Sequence, residues 1–508
     1  MGIEDDRRDV ATYRNNGSVR GISGLRRAVA LCLAAVLVSA SAPALARQDD
    51  EDRGEIEQGR EADKQIEAQY GFYENEELGA YVTEVGERLA GMSERPSLPW
   101  TFRVLDSPVI NAFALPGGFV YVTRGLLAYA GSEAELAGVI GHEIGHVTGK
   151  HSRSRQRNSL LVSLAIIAGA LASETVRDLV EYGVPQLAAG LVLTKYSRGQ
   201  ELDADERGIR YATQAGYNPY GIGGFFETLQ SLEEQSDRKG LPGWISSHPQ
   251  VDDRIERSDR WAAESLERFA LRADELYVGR RDLFVEIDGI VFGENPREGY
   301  TRGDDFLHPD LRFQVAFPAD WSVRNGRAAV SAVSSDENAY MKLELAAVDE
   351  DETSQDYIRG YLGSLSADVI DSGRLEINGL EGFQATFSVR DADTEYAVLG
   401  HWIEYDGRLY QLLGVTSARR WRENASTMRR AMGSFAELTD DGALAIEPAR
   451  VAVIEVERRM QLAGVIETYA EVSVSPQVVA ILNHSSLQDL IEPGDLVKLV
   501  LGGAVPAH

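Results

Sequence analysis

Cysteine is all but absent from this sequence. A single one, Cys32, stands among 508 residues, which excludes a disulfide framework and leaves no thiolates from which to build a metal site. Any metal must be held by nitrogen and oxygen. Basic residues are scarce too: 51 Lys+Arg against 80 Asp+Glu give a formal charge of −29, and a body this acidic repels nucleic acid and anionic lipid headgroups. Long apolar runs are missing as well. The two that stand out, Ala28 to Val38 and Leu160 to Ala172, fall short of the ~20 residues that a spanning helix requires. Nothing recurs with a period of 33 to 45 residues, which excludes a helical solenoid. What remains is 44% hydrophobic and 26% charged, the balance of a folded protein long enough for about three domains.

The first of those apolar runs follows Arg26 and Arg27 and precedes Ala44-Leu45-Ala46. That order reads as a secretory signal over 1–46, cleaved after Ala46, which makes the mature chain an exported one. Cys32 leaves with the signal. The second run reads as a buried helix or as a lid whose apolar face, 160–172, touches a membrane without crossing it.

Downstream, Asn75 to Leu89 reads as an amphipathic helix with Leu78, Val82, Val85 and Leu89 on one side. "PWTFRVLDSPVINAFALPGGFVYVTRGLL" alternates apolar runs around a Pro-Gly-Gly turn, the pattern of strands around a hairpin. From Ser132 the period turns helical, and Ser132 with Glu135 makes a capping box. A further helix is expected over Pro185 to Ala215, then a polar stretch, a loop at "SSHPQVDDRIER", and a last helix to about Leu276. From Asp282 the texture is strand-rich, with helices at Ser354 to Leu365 and Arg420 to Met432, as in an antiparallel α+β domain. A unit of strand, helix, helix and strand closes the chain from Val451 to Val500.

Chemistry gathers in "GVIGHEIGHVTGKH". Helical spacing puts His142 and His146 on one face with Glu143 beside them, and zinc suits such a set. In "KYSRGQELDADERG", Glu201 and Asp205 are again four apart: Glu201 completes the ligands, and Asp205 accepts a proton from the outer ring nitrogen of a ligand histidine. His151, five beyond His146, is expected to face away and be structural.

These motifs, with "NAFALPGGFVYVTRGLL" before them and "SHPQVDDRIER" after, resemble the zinc metallopeptidases that include the CAAX prenyl endopeptidase and the bacterial heat-shock membrane peptidase, most of all their soluble periplasmic branch. The resemblance covers roughly residues 55 to 275. It implies one zinc per chain on His142, His146 and Glu201, with Glu143 as general base. It also brings His248 to the zinc, as oxyanion stabiliser or as a fourth ligand that keeps the enzyme latent, assigns Arg254 to the same site, and places Asn111 and Ala112, on a strand from Val109 to Leu115, beside an extended substrate. The alternative for that strand is an ordinary core hairpin, and for Arg254 a surface ion pair with Asp252 or Asp253.

The expected architecture is therefore multi-domain α+β: a mainly helical zincin-type peptidase over 47–281 with a small sheet, an α/β sandwich-like domain over 282–440, weakly similar to PsbP, and a small βααβ module over 441–508. The last resembles a LysM module through "ILN" and "PGDLVKLV" and departs from it at "ERRMQLAG"; it implies peptidoglycan as a possible partner through 451–500. The function expected is a periplasmic zinc endopeptidase acting on unfolded or misassembled envelope proteins. A chaperone or peptidoglycan-binding scaffold with a structural zinc site is the competing class, which has no need of Glu143.

Overall fold

The computed structural model describes residues 52–151, 196–235, 244, 248, 251–349, 351–391, 394–469 and 471–503. The signal expected over 1–46 and the apolar run 160–172 lie outside the described residues. Contacts join Ile56–His508 into one compact unit, a helical region followed by a larger antiparallel-sheet region.

Helix α1, Glu76–Ala90, starts where the Asn75 side chain accepts from the Leu78 amide at 3.0 Å, and it buries Leu78, Val82, Val85 and Leu89. Strands β1 (Thr101–Leu105), β2 (Ala112–Leu115) and β3 (Phe119–Thr123) form a sheet in the order β1-β3-β2. The β2–β3 hairpin turns through Gly117 and Gly118, both at positive φ. β2 is shorter than the expected Val109 to Leu115, because Thr123 draws the preceding segment off the ladder: its hydroxyl accepts from the Asn111 amide at 3.1 Å. After the short α2 (Arg124–Tyr129) comes α3, Glu133–Thr148, buried along nearly its whole length. Its capping box is only half made. Ser132 accepts from the Glu135 amide, but the Glu135 carboxylate accepts from Gly131, at 2.9 Å.

Several boundaries differ from expectation. Helix α4 spans Arg198–Gln214, begun where Ser197 caps it with Gln200 answering in a full capping box, and the expected stretch over 185–195 lies outside the described residues. The stretch read as polar holds α5, Gly221–Gln235, whose Ile222, Phe225, Phe226 and Leu229 are buried at helical spacing. Three glycines in its first turn hid it. The expected loop around Arg254 is helical, because α6 begins at Val251; it ends at Phe269, not Leu276, where Ala270 turns to φ 53°. Asp282 lies in α7, Arg280–Glu286, and the first strand beyond it is β4 at Tyr300–Arg302.

With β5 (Asp305–His308), β6 (Phe313–Ala316) and β14 (Ala436–Glu437), β4 makes a four-stranded sheet. A seven-stranded antiparallel sheet is ordered β10-β11-β12-β13-β9-β8-β7, from Asp368–Ile377, Leu380–Asp391, Thr394–Tyr405, Arg408–Ser417, Ala339–Leu345, Ala329–Ser334 and Trp321–Asn325 respectively. α8 (Ser354–Ser364) and α9 (Trp421–Met432) fall where expected; Met428 and Met432 of α9 share a core with Phe313, Tyr410 and Phe435. At the end, β15 (Arg450–Glu455) pairs antiparallel with β18 (Leu496–Leu501), enclosing the two-residue strands β16 (Met460–Gln461) and β17 (Leu490–Ile491) and helices α10 (Leu462–Thr468) and α11 (Pro476–Leu482). Among the described residues no helix is long and apolar enough to cross a membrane.

Candidate metal centre

Glycine sets the distance between the two helices that meet at the site. A Cβ on Gly208 of α4 would lie 2.6 Å from the His142 amide nitrogen, and one on Gly145 of α3 would lie 2.8 Å from the Ala204 carbonyl oxygen. Bare backbone at both positions lets α3 and α4 pack in near contact. His142 and His146 then face Glu201 and Asp205 across the seam, all four buried.

His142, His146, Glu201 and His248 converge so that one donor atom from each lies within 4.8 Å of the others. The two Nε2 atoms of His142 and His146 are 3.0 Å apart, and the Glu201 oxygens are 3.7 and 3.5 Å from them. His248 brings Nδ1 to 3.0 Å from both Glu201 oxygens and 3.3 Å from His142 Nε2. Its ring stacks on Trp244, centroids 4.3 Å apart.

The outer nitrogens fix the tautomers. His142 Nδ1 donates to Asp205 Oδ1 at 2.7 Å, which leaves Nε2 a bare lone pair. His146 Nδ1 meets His151 Nδ1 at 2.9 Å, and His151 Nε2 meets Asp203 Oδ2 at 3.1 Å. The carboxylate can only accept, so His151 carries its proton on Nε2, and His146 must donate from Nδ1. Its Nε2 is bare as well. Two facing acceptors 3.0 Å apart repel unless a cation lies between them, and nitrogen ligands of tetrahedral zinc stand roughly 3.3 Å apart. The donor set therefore fits zinc.

His151 thus does not face away. The helix ends at Thr148, and Lys150 at φ 52° turns the chain back, so the five-residue spacing no longer follows helical geometry. Nor is Arg254 in a surface ion pair. It is 1% exposed, donating from Nε and Nη2 to both Asp205 oxygens at 2.8 and 2.7 Å and reaching Glu201 from Nη1 at 3.1 Å. The same Nη1 reaches the His248 carbonyl at 3.4 Å. His151, Asp203 and Trp244 are site residues that helical spacing from the first histidine pair did not reveal.

Glu143 is buried between the histidines, and neither of its oxygens has a hydrogen-bond partner among the described residues; Oε1 lies 3.5 Å from His248 Nε2. Burial raises its pKa against the pull of His248 and His142. For Glu201 burial works in the same sense, but His248, His146 and His142 outweigh it and carry the pKa below the usual carboxylate range. Asp205 is held low by Arg254 and His142 despite its burial. Burial, then the neighbouring His142, pushes His146 well down. On His248 burial is outweighed by Glu201 and Glu143, and its pKa rises.

Asn111 is half-buried and Ala112 fully buried, at the start of β2, an edge strand of its sheet. The edge is already used next to them: the Ile110 carbonyl accepts from the Trp244 amide at 2.9 Å.

Residues 76–262 match the family model for peptidase family M48. The mitochondrial metalloendopeptidase OMA1 of Schizosaccharomyces pombe is 31% identical over 185 residues, 36% of this chain and 53% of that protein. The beta-barrel assembly-enhancing protease of Yersinia pestis is 30% identical over 185 residues, covering 35% and 37%; that of Escherichia coli O157:H7 is 26% identical over 277 residues, covering 50% and 55%. The chain thus spans about a third to a half of the length of these relatives. Among solved structures, cyanobacterial PsbP from Synechocystis sp. PCC 6803 aligns with 27% of this chain and 94% of its own at 12% identity and a TM-score of 0.23, too low to carry weight.

Proposed function

Residues 76–262 belong to peptidase family M48, and from that premise we propose that the chain is a zinc-dependent endopeptidase of the cell envelope, trimming or degrading misfolded and misassembled exported proteins. The observation that carries the reading is Glu143: a buried carboxylate that makes no hydrogen bond among the described residues, beside a convergent His142, His146 and Glu201. A structural metal site has no use for such a group.

His142, His146 and Glu201 would hold the zinc. A zinc ion bound there would supply a Lewis acid that polarises a peptide carbonyl and lowers the pKa of water from ~15.7 to about 7. Glu143, beside the ligands, would take a proton from the attacking water and return it to the leaving amine. Asp205 fixes His142, and Arg254, with its guanidinium nitrogens engaged by Asp205, Glu201 and the His248 carbonyl, acts as a positioning residue. An extended substrate adds to the edge of β2 near Asn111 and Ala112 by main-chain hydrogen bonds, which gives little sequence preference and suits unfolded chains.

His248 we read as a latch. It offers a fourth donor to the zinc ligands, and Trp244, stacked on it, occupies the Ile110 carbonyl that a substrate strand would use. Displacing one segment would free both the ligand position and the strand edge. The leader over 1–46 supports export to the periplasm, and the LysM resemblance supports a contact with peptidoglycan, testable by sedimentation with purified sacculi.

The deciding experiment is Glu143→Gln. This variant is expected to retain one zinc per chain and to lose at least ~10²-fold in cleavage of casein. Undiminished cleavage would refute the assignment, and cleavage by neither protein while both bind zinc would favour the scaffold class.

A further inference from the structure

The two zinc-binding histidines are supported differently. His142 donates directly to a buried carboxylate, Asp205, itself gripped by Arg254. Among the described residues His146 has no carboxylate against its outer nitrogen. It meets a neutral imidazole, His151, whose far nitrogen reaches Asp203, a residue with 41% of its side chain exposed. Asp203 in turn accepts from Arg207 Nε at 2.7 Å.

We propose that His151 and Asp203 form a positioning dyad for His146, fixing its ring and holding its proton on the outer nitrogen so that Nε2 stays free for the metal. This rests on the zinc reading above. Three features build the dyad. Gly149 is required because a Cβ there would lie 2.4 Å from His151 Nε2. Lys150 takes the left-handed turn that brings the imidazole back under the helix end. Gln200 Nε2 donates to the His151 carbonyl at 3.2 Å, fastening the turn to the first turn of α4. The ring of His146 is thereby held on one side by Tyr196, centroids 3.6 Å apart, and at its edge by His151.

A ligand whose outer nitrogen is left without an acceptor loses both orientation and basicity, typically worth 10- to 100-fold in metal affinity. The test is the zinc dissociation constant of the full chain, by competition with a chromophoric chelator, with circular dichroism reporting the fold. His151→Leu is expected to weaken zinc binding by ~10- to 100-fold. His151→Asn, whose side-chain oxygen sits where Nδ1 was, is expected to recover most of the loss. A merely space-filling histidine would show no such rescue. Asp203→Ala, at a half-exposed position, is expected to keep the fold by circular dichroism and to weaken binding by ~10-fold, and it decides the matter should His151→Leu fail to fold. Affinity within twofold of wild type in the folded Leu variant or in Asp203→Ala overturns the proposal, as does an Asn variant no better than Leu. A wild-type chain that takes up no zinc refutes the metal reading itself, a result distinct from any of these.

Discussion

At the scale of single residues, the buried charges that support the ligands are tolerable only because they are paired. Arg254 and Asp205 illustrate it: removing one member of a buried pair strands the other, at a cost of about 3–5 kcal/mol. Arg254→Met is accordingly expected to lower the melting temperature and the zinc affinity together, whereas Arg198→Met, whose partner Asp253 is exposed, should change neither. His248 offers a sharper test. As a latch its replacement by Ala raises basal casein cleavage; as an oxyanion stabiliser its loss lowers cleavage by ~10²-fold or more. The sign of the change separates the two. What sequence revealed here followed from one rule, that residues four apart share a helical face. It placed His142 with His146 and Glu201 with Asp205, because both pairs lie inside unbroken helices. It misplaced His151, since the helix stops three residues earlier and the chain reverses at Lys150.

At the scale of elements, the seam between α3 and α4 determines whether the ligands meet at all. Gly208→Ala pushes a methyl into the backbone of His142 and cannot be relieved by a side-chain movement. The expected result is a stability loss of about 1–3 kcal/mol, together with loss of zinc, read by thermal melting and metal analysis. Gly199→Ala, on the same helix with open space around it, is the control and should keep its metal. Elements with an uninterrupted apolar stripe were legible from sequence, as in α1, where all four expected core residues are buried. The one begun by a run of glycines, α5, was not. α5 carries Ile222, Phe225, Phe226 and Leu229 at helical spacing, yet glycines at 221, 223 and 224 masked the period. Arg254 was read as a loop residue because His248-Pro249 suggested a turn, although α6 begins two residues later.

At the scale of the whole molecule, the peptidase region and the C-terminal unit share a polar seam. Lys498 of β18 is fully buried and donates to the carbonyls of Ala128 and Ala130, both at 2.8 Å, just ahead of α3. His484 reaches the Tyr129 carbonyl at 3.1 Å. Burial pushes His484, His308 and His401 down to about 4. A histidine lowered on folding contributes stability that is present above its ordinary pKa, ~6.5, and lost as the pH falls toward 4. Unfolding by urea is therefore expected to become easier between pH 6.5 and 4, and His484→Gln should flatten that slope. Lys498→Met leaves two buried carbonyls unsatisfied, about 1–3 kcal/mol each, and should lower the melting temperature. Lys498 carries one more consequence, which concerns time. A chain is made from its N-terminus, so the residue that ties down the entrance to α3 is added 365 positions after that helix begins, 498 against 133. While it is being made, the nascent protein carries its candidate ligands on a helix still unclamped, and the site is held in place only once β18 has followed.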